Sequence, residues 1–412
     1  MKKLIQFGAG SIGRSFIGQL FARAGYEVVF IDVDTLIIEA MNQHHEYIVE
    51  IRDIPPEKML IQNVRAIHAK ETDKIAIEIA DADILGTAVG KNVLDKIIPN
   101  LAAGLIERQK RYGVKPIDII ICENILNGAN FLINGLKKIL PPGFPLQDML
   151  GLVETSIGKM VPIMTEADRQ FNPLLVYAEA YNTLILDQKG FKNPIPDVPG
   201  LAPKKNMKAY VQRKSFIHNL GHAMTAYLAY LEGKPYTYTW EMMNDAPMRQ
   251  RVKTVMWESG QALINAYPDE FTIENQEAHI ENLLNRFANQ HLGDTLFRVG
   301  RDIQRKLSYD DRIIGAMCFD LENGVEPIET AFTAAAACFF KMRDENNLMY
   351  GRDEEFHNQI FSKGIDFILQ KVCQLSPKKP IDQKVIGMIK QKYQRILELY
   401  PGIHGIADKL RN

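Results

Sequence analysis

Short apolar runs rich in Ile, Val and Leu recur through the first half of the chain, at Leu4 to Phe7, Glu27 to Ile31, Asp83 to Ala88 and Ile117 to Ile121, with amphipathic stretches between them. Such alternation predicts a parallel sheet with helices on both faces. Between the second and third runs, Glu46 to Arg52 and Leu60 to Ala66 predict a small inserted strand pair bent at Pro55-Pro56. Leu152 to Val161 and Leu174 to Leu186 alternate again and predict an extension of the sheet. From Gly190 to Asn206 the chain carries Pro194, Pro196, Pro199 and Pro203 with few core-forming residues, which is linker chemistry. Beyond it the period is helical, over Met207 to Leu231, Trp240 to Tyr267, Asn275 to Gln290, Ile328 to Arg343, Glu354 to Gln374 and Asp382 to Leu399. The pattern predicts an α/β chain: a doubly wound domain over residues 1–195, then a mostly α-helical domain over residues 196–412.

The turn after the first run reads Gly8-Ala9-Gly10-Ser11-Ile12-Gly13 and opens an amphipathic stretch to Ala24. This G-x-G-x-x-G, between strand and helix, is the Rossmann dinucleotide fingerprint. Gly8 permits the tight turn, Gly10 lets a pyrophosphate approach the backbone, and Gly13 allows close helix packing, with the helix N-terminus supplying a positive dipole end. Asp32 ends the second strand 19 residues after Gly13, where an acid accepts from adenosine ribose hydroxyls and repels a 2′-phosphate. NAD is therefore the expected cofactor rather than NADP. Asp34 is the weaker claimant for that role. Thr87 and Val89 end the third long run and are expected against the cofactor.

Composition narrows the partner. A net charge of −1 with no polybasic run removes the electrostatic case for nucleic acid or an anionic membrane, and small-molecule chemistry is expected. Cys122, Cys318, Cys338 and Cys373 are scattered without a C-x-x-C pair or zinc-like spacing, as in a cytoplasmic protein with reduced thiols. Met1-Lys2-Lys3 before Leu4-Ile5 imitates a signal peptide, but Gln6 and Gly8 interrupt the apolar stretch, and no run of 18 apolar residues follows.

The second half carries Lys214, Asn219 and His222 at spacing Lys-x4-Asn-x2-His. On an α-helix Asn219 would stand about 140° and His222 about 80° round from Lys214, so all three could look into one cleft. Alcohol oxidation by a nicotinamide needs a base for the hydroxyl proton and donors for the developing alkoxide. Lys214 can be that base if burial or neighbouring charge lowers its pKa from about 10.4 towards 7 or 8. His218, about 40° from Lys214 on the same wheel, competes with His222. Downstream, Arg298, Arg301, Arg305 and Lys306 would lie within about 140° of one helix face and could clamp a phosphate or carboxylate.

With these stretches the chain resembles the polyol-specific long-chain dehydrogenases, the mannitol dehydrogenase family. The likeness rests on Phe7-Gly8-Ala9-Gly10-Ser11-Ile12-Gly13-Arg14, on Cys122-Glu123-Asn124, on the Lys214, Asn219 and His222 segment, and on Arg298 to Leu307 with Asp311-Arg312. The resemblance implies Lys214 as general base, Asn219 and Asn124 as the alkoxide-stabilising pair with Asn127 as runner-up, His222 as the orienting ring, Arg298 and Lys306 as substrate contacts, and no metal. It also implies a small-molecule sugar alcohol or sugar phosphate as substrate for a monomer or small homo-oligomer. Two departures bear on the substrate: Gly158 stands where the family has an acid, and Lys159 where it has arginine. Ile303 and Ala316 replace common prolines. The length of 412 residues is that of the short members, which interconvert mannitol 1-phosphate and fructose 6-phosphate with NAD. The alternatives are an unphosphorylated polyol, a hexonate such as altronate or mannonate, a 6-phosphogluconate-type enzyme, or a non-catalytic NAD-binding sensor.

Overall fold

The computed structural model describes residues 1–53, 55–123, 127–162 and 164–402. The chain divides into two compact units, Met1–Met207 and Lys208–Asn412. The first is a Rossmann-like mixed α/β unit and the second is largely helical.

Eleven strands occur among the described residues of the first unit: β1 Lys3–Phe7, β2 Glu27–Asp32, β3 Glu46–Ile51, β4 Glu57–Gln62, β5 Val64–His68, β6 Ile84–Thr87, β7 Ile117–Ile121, β8 Leu150–Ser156, β9 Leu175–Ala178, β10 Leu184–Asp187 and β11 Leu201–Lys204. Eight form one sheet in the order β11-β10-β8-β7-β6-β1-β2-β5. From β5 to β8 every pairing is parallel, and the order is the doubly wound 3-2-1-4-5-6. Helices on both faces make these strands apolar on both sides. Leu4, Val28, Phe30 and Ile120 enter one core, while Ile5, Val29, Ile31, Ile119 and Ile121 enter the other.

The expected strand pair is β3 with β4, antiparallel, but the second run divides. Asn63 takes a left-handed φ of 61°, and residues after it leave the pair to become the sheet edge β5 beside β2. Leu174 to Leu186 divides likewise: β9 pairs with β3 in the small sheet, and β10 runs antiparallel to β8 in the large one. The proline-rich stretch also does more than connect. Leu201–Lys204 pairs with β10 as an edge strand, where Pro203 is tolerated, so the first unit extends beyond residue 195 to Met207.

The second unit is built around helix Leu220–Glu232, buried on nearly every side as an all-round apolar helix must be. Helices Ala246–Ala266, Ile273–Phe287, Ile314–Glu322, Ile328–Ala337 and Pro380–Leu399 complete it. Gly221 lets helix Ala246–Ala266 approach, since a Cβ there would lie 2.6 Å from Met256. The expected helix through Arg298 to Lys306 is broken: Leu296–Gly300 and Ile303–Lys306 are separate, with Asp302 left-handed at φ 69° between them. Asp353 holds the break by accepting from the Asp302 and Ile303 N–H groups at 2.9 and 2.8 Å. Among the described residues no helix is long and apolar enough to cross a membrane.

Candidate active site residues

In the first unit the sheet reverses its winding between β1 and β6, and the fingerprint turn leaves the carboxyl end of β1 there, where open α/β sheets bind ligands. Gly8 has φ +94°, and a Cβ on it would lie 2.4 Å from the Ala88 carbonyl oxygen. One on Gly13 would lie 1.9 Å from the Gly8 carbonyl. Gly10 has nothing within 4 Å of its would-be Cβ, so the backbone is open to a pyrophosphate at the residue where the fingerprint requires it. Ser11 is exposed and Ile12 half-buried beside it. The Asp32 carboxylate closes the turn by accepting from the Ala9 N–H at 2.5 Å, and its other oxygen accepts from Val33 and Asp34 N–H at 2.7 and 3.0 Å. Asp34 caps helix Thr35–His44 through Leu36 and Ile37 N–H. Turn, open glycine and acid therefore fit a dinucleotide.

Of the two residues expected on the β6 side, Val89 is half-buried and Thr87 has no exposed surface, so Thr87 supports the loop from beneath. A residue that sequence reasoning passed over organises this loop. Glu123, 6% exposed at the end of β7, accepts from Val89 N–H with one carboxylate oxygen and from Gly90 N–H with the other, both at 2.8 Å. Burial pushes its pKa up, and the two N–H groups oppose that shift. Its only sequence cue was adjacency to Asn124. Asn124 itself lies outside the described residues. Asn127 is exposed, with φ 56°, at the start of helix Gly128–Leu136, which is turn chemistry. At the departures, a Cβ on Gly158 would meet the Tyr181 ring at an ordinary 3.6 Å, while Lys159 is buried and donates to the Tyr181 carbonyl and the Asn182 amide oxygen.

In the second unit the lysine segment is helical, yet Lys214–Asn219 is a π-helical turn rather than α. The Leu220 N–H reaches the Ser215 carbonyl five residues back. The α-wheel angles therefore do not hold. A π-turn holds more residues per turn than an α-helix, so it brings Asn219 round towards Lys214 from the separation of about 140° expected on the α-wheel. The Lys214 pKa is lowered from 10.5 to about 8, first by burial and then by the Arg312 charge, against an opposing pull from Asp311. Asn219 is half-buried, and its amide makes no hydrogen bond among the described residues. His218 is buried, and burial with the surrounding positive charges pushes it well below its usual pKa, as for a neutral core histidine.

His222 stacks on Phe287, with ring centroids 4.8 Å apart, and its Nε2 lies 2.9 Å from Asp294 Oδ2. The ring N–H is not well aligned with that oxygen, so this is a close polar contact short of an ideal hydrogen bond. Asp294 Oδ1 accepts from the Arg298 guanidinium. Burial opposes the ionisation of Asp294, but its contacts with His222 and Arg298 outweigh it and hold the carboxyl at about 2. Sequence reasoning missed Asp294 too, although an Asp four residues before Arg298 on a helix start is a recognisable pair.

The expected four-cation clamp is corrected by the broken helix. Lys306 points inward, 4% exposed, donating to the Val299 carbonyl with its ammonium 5.9 Å from the Tyr227 ring. Arg305 is held by Asp302 and Asp311. Arg298 keeps 40% of its side chain exposed beside Asp294, and Arg301 is exposed near the Phe297 and Tyr350 rings. Among the described residues no group of three or more His, Cys, Asp or Glu is placed to hold a metal ion.

A doubly wound sheet with a glycine turn at its reversal and an acid after β2 defines a nicotinamide-dinucleotide-binding Rossmann unit. Residues 2–200 match the mannitol dehydrogenase Rossmann domain, and residues 206–397 match the mannitol dehydrogenase C-terminal domain. The chain belongs to the mannitol dehydrogenase family, as an NAD(P)-dependent polyol dehydrogenase. Among solved structures it is similar to octopine dehydrogenase in complex with NADH and agmatine, at 12% identity and a TM-score of 0.47 over 86% of this chain and 93% of that one. It is also similar to D-mandelate dehydrogenase with NADH, at 12% identity and a TM-score of 0.44 over 82% and 97%. A third is glycerol-3-phosphate dehydrogenase from Coxiella burnetii, at 10% identity and a TM-score of 0.36 over 96% and 99%.

Proposed function

We propose that the protein oxidises mannitol 1-phosphate to fructose 6-phosphate with NAD, and runs in either direction. The observation that carries the reading is Lys214, an amine held near a pKa of 8 one π-turn from the uncommitted amide of Asn219. A bound nicotinamide would supply the hydride acceptor for oxidation at the carbinol carbon and the hydride donor for the reverse reduction. Neutral Lys214 removes the hydroxyl proton, Asn219 donates to the oxygen as charge develops, and Asn124 is the assigned second donor. His222 is assigned over His218 because it is only partly buried and already oriented by Asp294. Asp32 at the end of β2 favours NAD over NADP. The accessible guanidinium groups of Arg298 and Arg301 favour an anionic substrate such as a sugar phosphate.

Steady-state assays with NAD and NADP separate the possibilities. Mannitol 1-phosphate and fructose 6-phosphate should turn over with NAD well ahead of mannitol, altronate and mannonate. Turnover of a hexonate or free polyol without turnover of the sugar phosphates would replace this substrate. NADH binding without turnover of any of them would make the protein a sensor.

A further inference from the structure

One buried carboxylate joins two residues that the family resemblance assigns to separate tasks. Asp294 is 6% exposed, and its two oxygens are divided: Oδ2 lies 2.9 Å from His222 Nε2, and Oδ1 takes the Arg298 guanidinium. Its main chain is fixed on both sides. The Asp294 carbonyl accepts from Thr239 N–H at 3.0 Å, and Thr295 caps the next helix through Arg298 N–H at 3.2 Å. The imidazole is fixed as well, lying at 16° to the Phe287 ring. A ring stacked on one side and facing a carboxylate at one nitrogen has little freedom to exchange its two nitrogens.

We propose that Asp294 is a positioning residue that keeps the proton of neutral His222 on Nε2, leaving Nδ1 to accept a hydrogen bond from a substrate hydroxyl, and that it tethers Arg298 in the same act. The proposal rests on the assignment of His222 to the active site. A carboxylate at one imidazole nitrogen fixes the tautomer and hence the role of the other. His222 is thereby a reader of hydroxyl donors, as a polyol presents, rather than a donor to a carbonyl. Because Arg298 takes the other oxygen, one carboxylate sets the orientation of both the imidazole and the guanidinium.

The test compares Asp294→Asn, Asp294→Asn/His222→Ala, Arg298→Met and Lys214→Ala with the wild-type full chain, measuring kcat, KM and NADH affinity for whichever sugar alcohol or sugar phosphate turns over. Asp294→Asn keeps the shape but offers either an acceptor or a donor to Nε2, so kcat/KM should fall about 10- to 100-fold, the range for a lost polar contact to a charged group. NADH affinity should stay unchanged. Arg298→Met should raise KM for a sugar phosphate with kcat near the wild-type value. The double variant Asp294→Asn/His222→Ala should be no slower than His222→Ala alone, and that non-additivity is the signature, because a general loss of structure would add to the loss of the ring. Wild-type kcat/KM in Asp294→Asn, or losses that add in the double variant, would overturn the proposal while inactive Lys214→Ala left the functional reading standing. Retained turnover in Lys214→Ala would instead bring down that reading.

Discussion

Replacing Lys214 with methionine should destroy activity and stabilise the fold. The amine has a pKa near 8 in the folded chain against an ordinary 10.5, so at pH 7 the folded state holds the proton less tightly than the unfolded one. The difference between 10.5 and about 8 corresponds to about 3 kcal/mol that folding sacrifices at pH 7. The sign follows from the direction of the shift. A depressed lysine pKa costs most below pH 8, and the cost is relieved as pH rises towards 10.5, since the unfolded chain then binds more protons than the folded one. At pH 9.5 less than half of that should remain. Methionine keeps most of the stem and carries no charge, so Lys214→Met should gain up to about 3 kcal/mol at pH 7 and less than half of that at pH 9.5. Calorimetric melting at both pH values reads the effect as several degrees in Tm at the lower pH. Turnover should fall by about 100- to 10,000-fold, the span of general-base catalysis. Wild-type kcat/KM for alcohol oxidation should rise with pH and level off above about 8. A Lys214→Met variant that is no more stable than wild type at pH 7, or stabilised equally at both pH values, would refute a destabilised buried ammonium at this position.

Two further outcomes concern the first unit. Gly13→Ala places a Cβ 1.9 Å from the Gly8 carbonyl oxygen, so the turn must open. NADH titration should show affinity reduced by about 100-fold or more, while circular dichroism still reports the sheet; wild-type affinity would show that the fingerprint turn does not hold the cofactor. Glu123→Gln leaves one acceptor where Val89 and Gly90 N–H now share two. NADH should bind about tenfold more weakly with the Lys214-dependent pH inflection unmoved, and unchanged affinity would mean that the loop after β6 is held by other means.

Much of this molecule is legible along the chain because its information is local. Alternating apolar runs at β1, β2, β6 and β7 announced a sheet buried on both faces, and the glycines at 8, 10 and 13 with Asp32 described a turn whose geometry leaves little freedom. Less legible were the places where one run serves two sheets. Periodicity shows which side of a strand is buried, but it does not show that Asn63 turns the chain into another sheet or that β9 and β10 have different partners. A helical period likewise cannot reveal a break at Asp302, which is held by Asp353 from 51 residues away.

By itself the sequence determined a dinucleotide turn followed by an acid, a helical second half, and a lysine, an asparagine and a histidine on one helical run. Tertiary structure decided what those residues can do. The π-turn that brings Asn219 round towards Lys214 is a choice of hydrogen-bond register within a helix, to which apolar spacing is blind. The proton affinity of Lys214 depends on burial and on Arg312, nearly a hundred residues on, and the His222 ring is set between Phe287 and Asp294. Lys306, basic in sequence and a natural candidate to meet an anion, is turned into the interior. Electrostatic energies depend on distances of a few Å and on exclusion of water. Only the folded chain sets those quantities between residues so far apart in sequence.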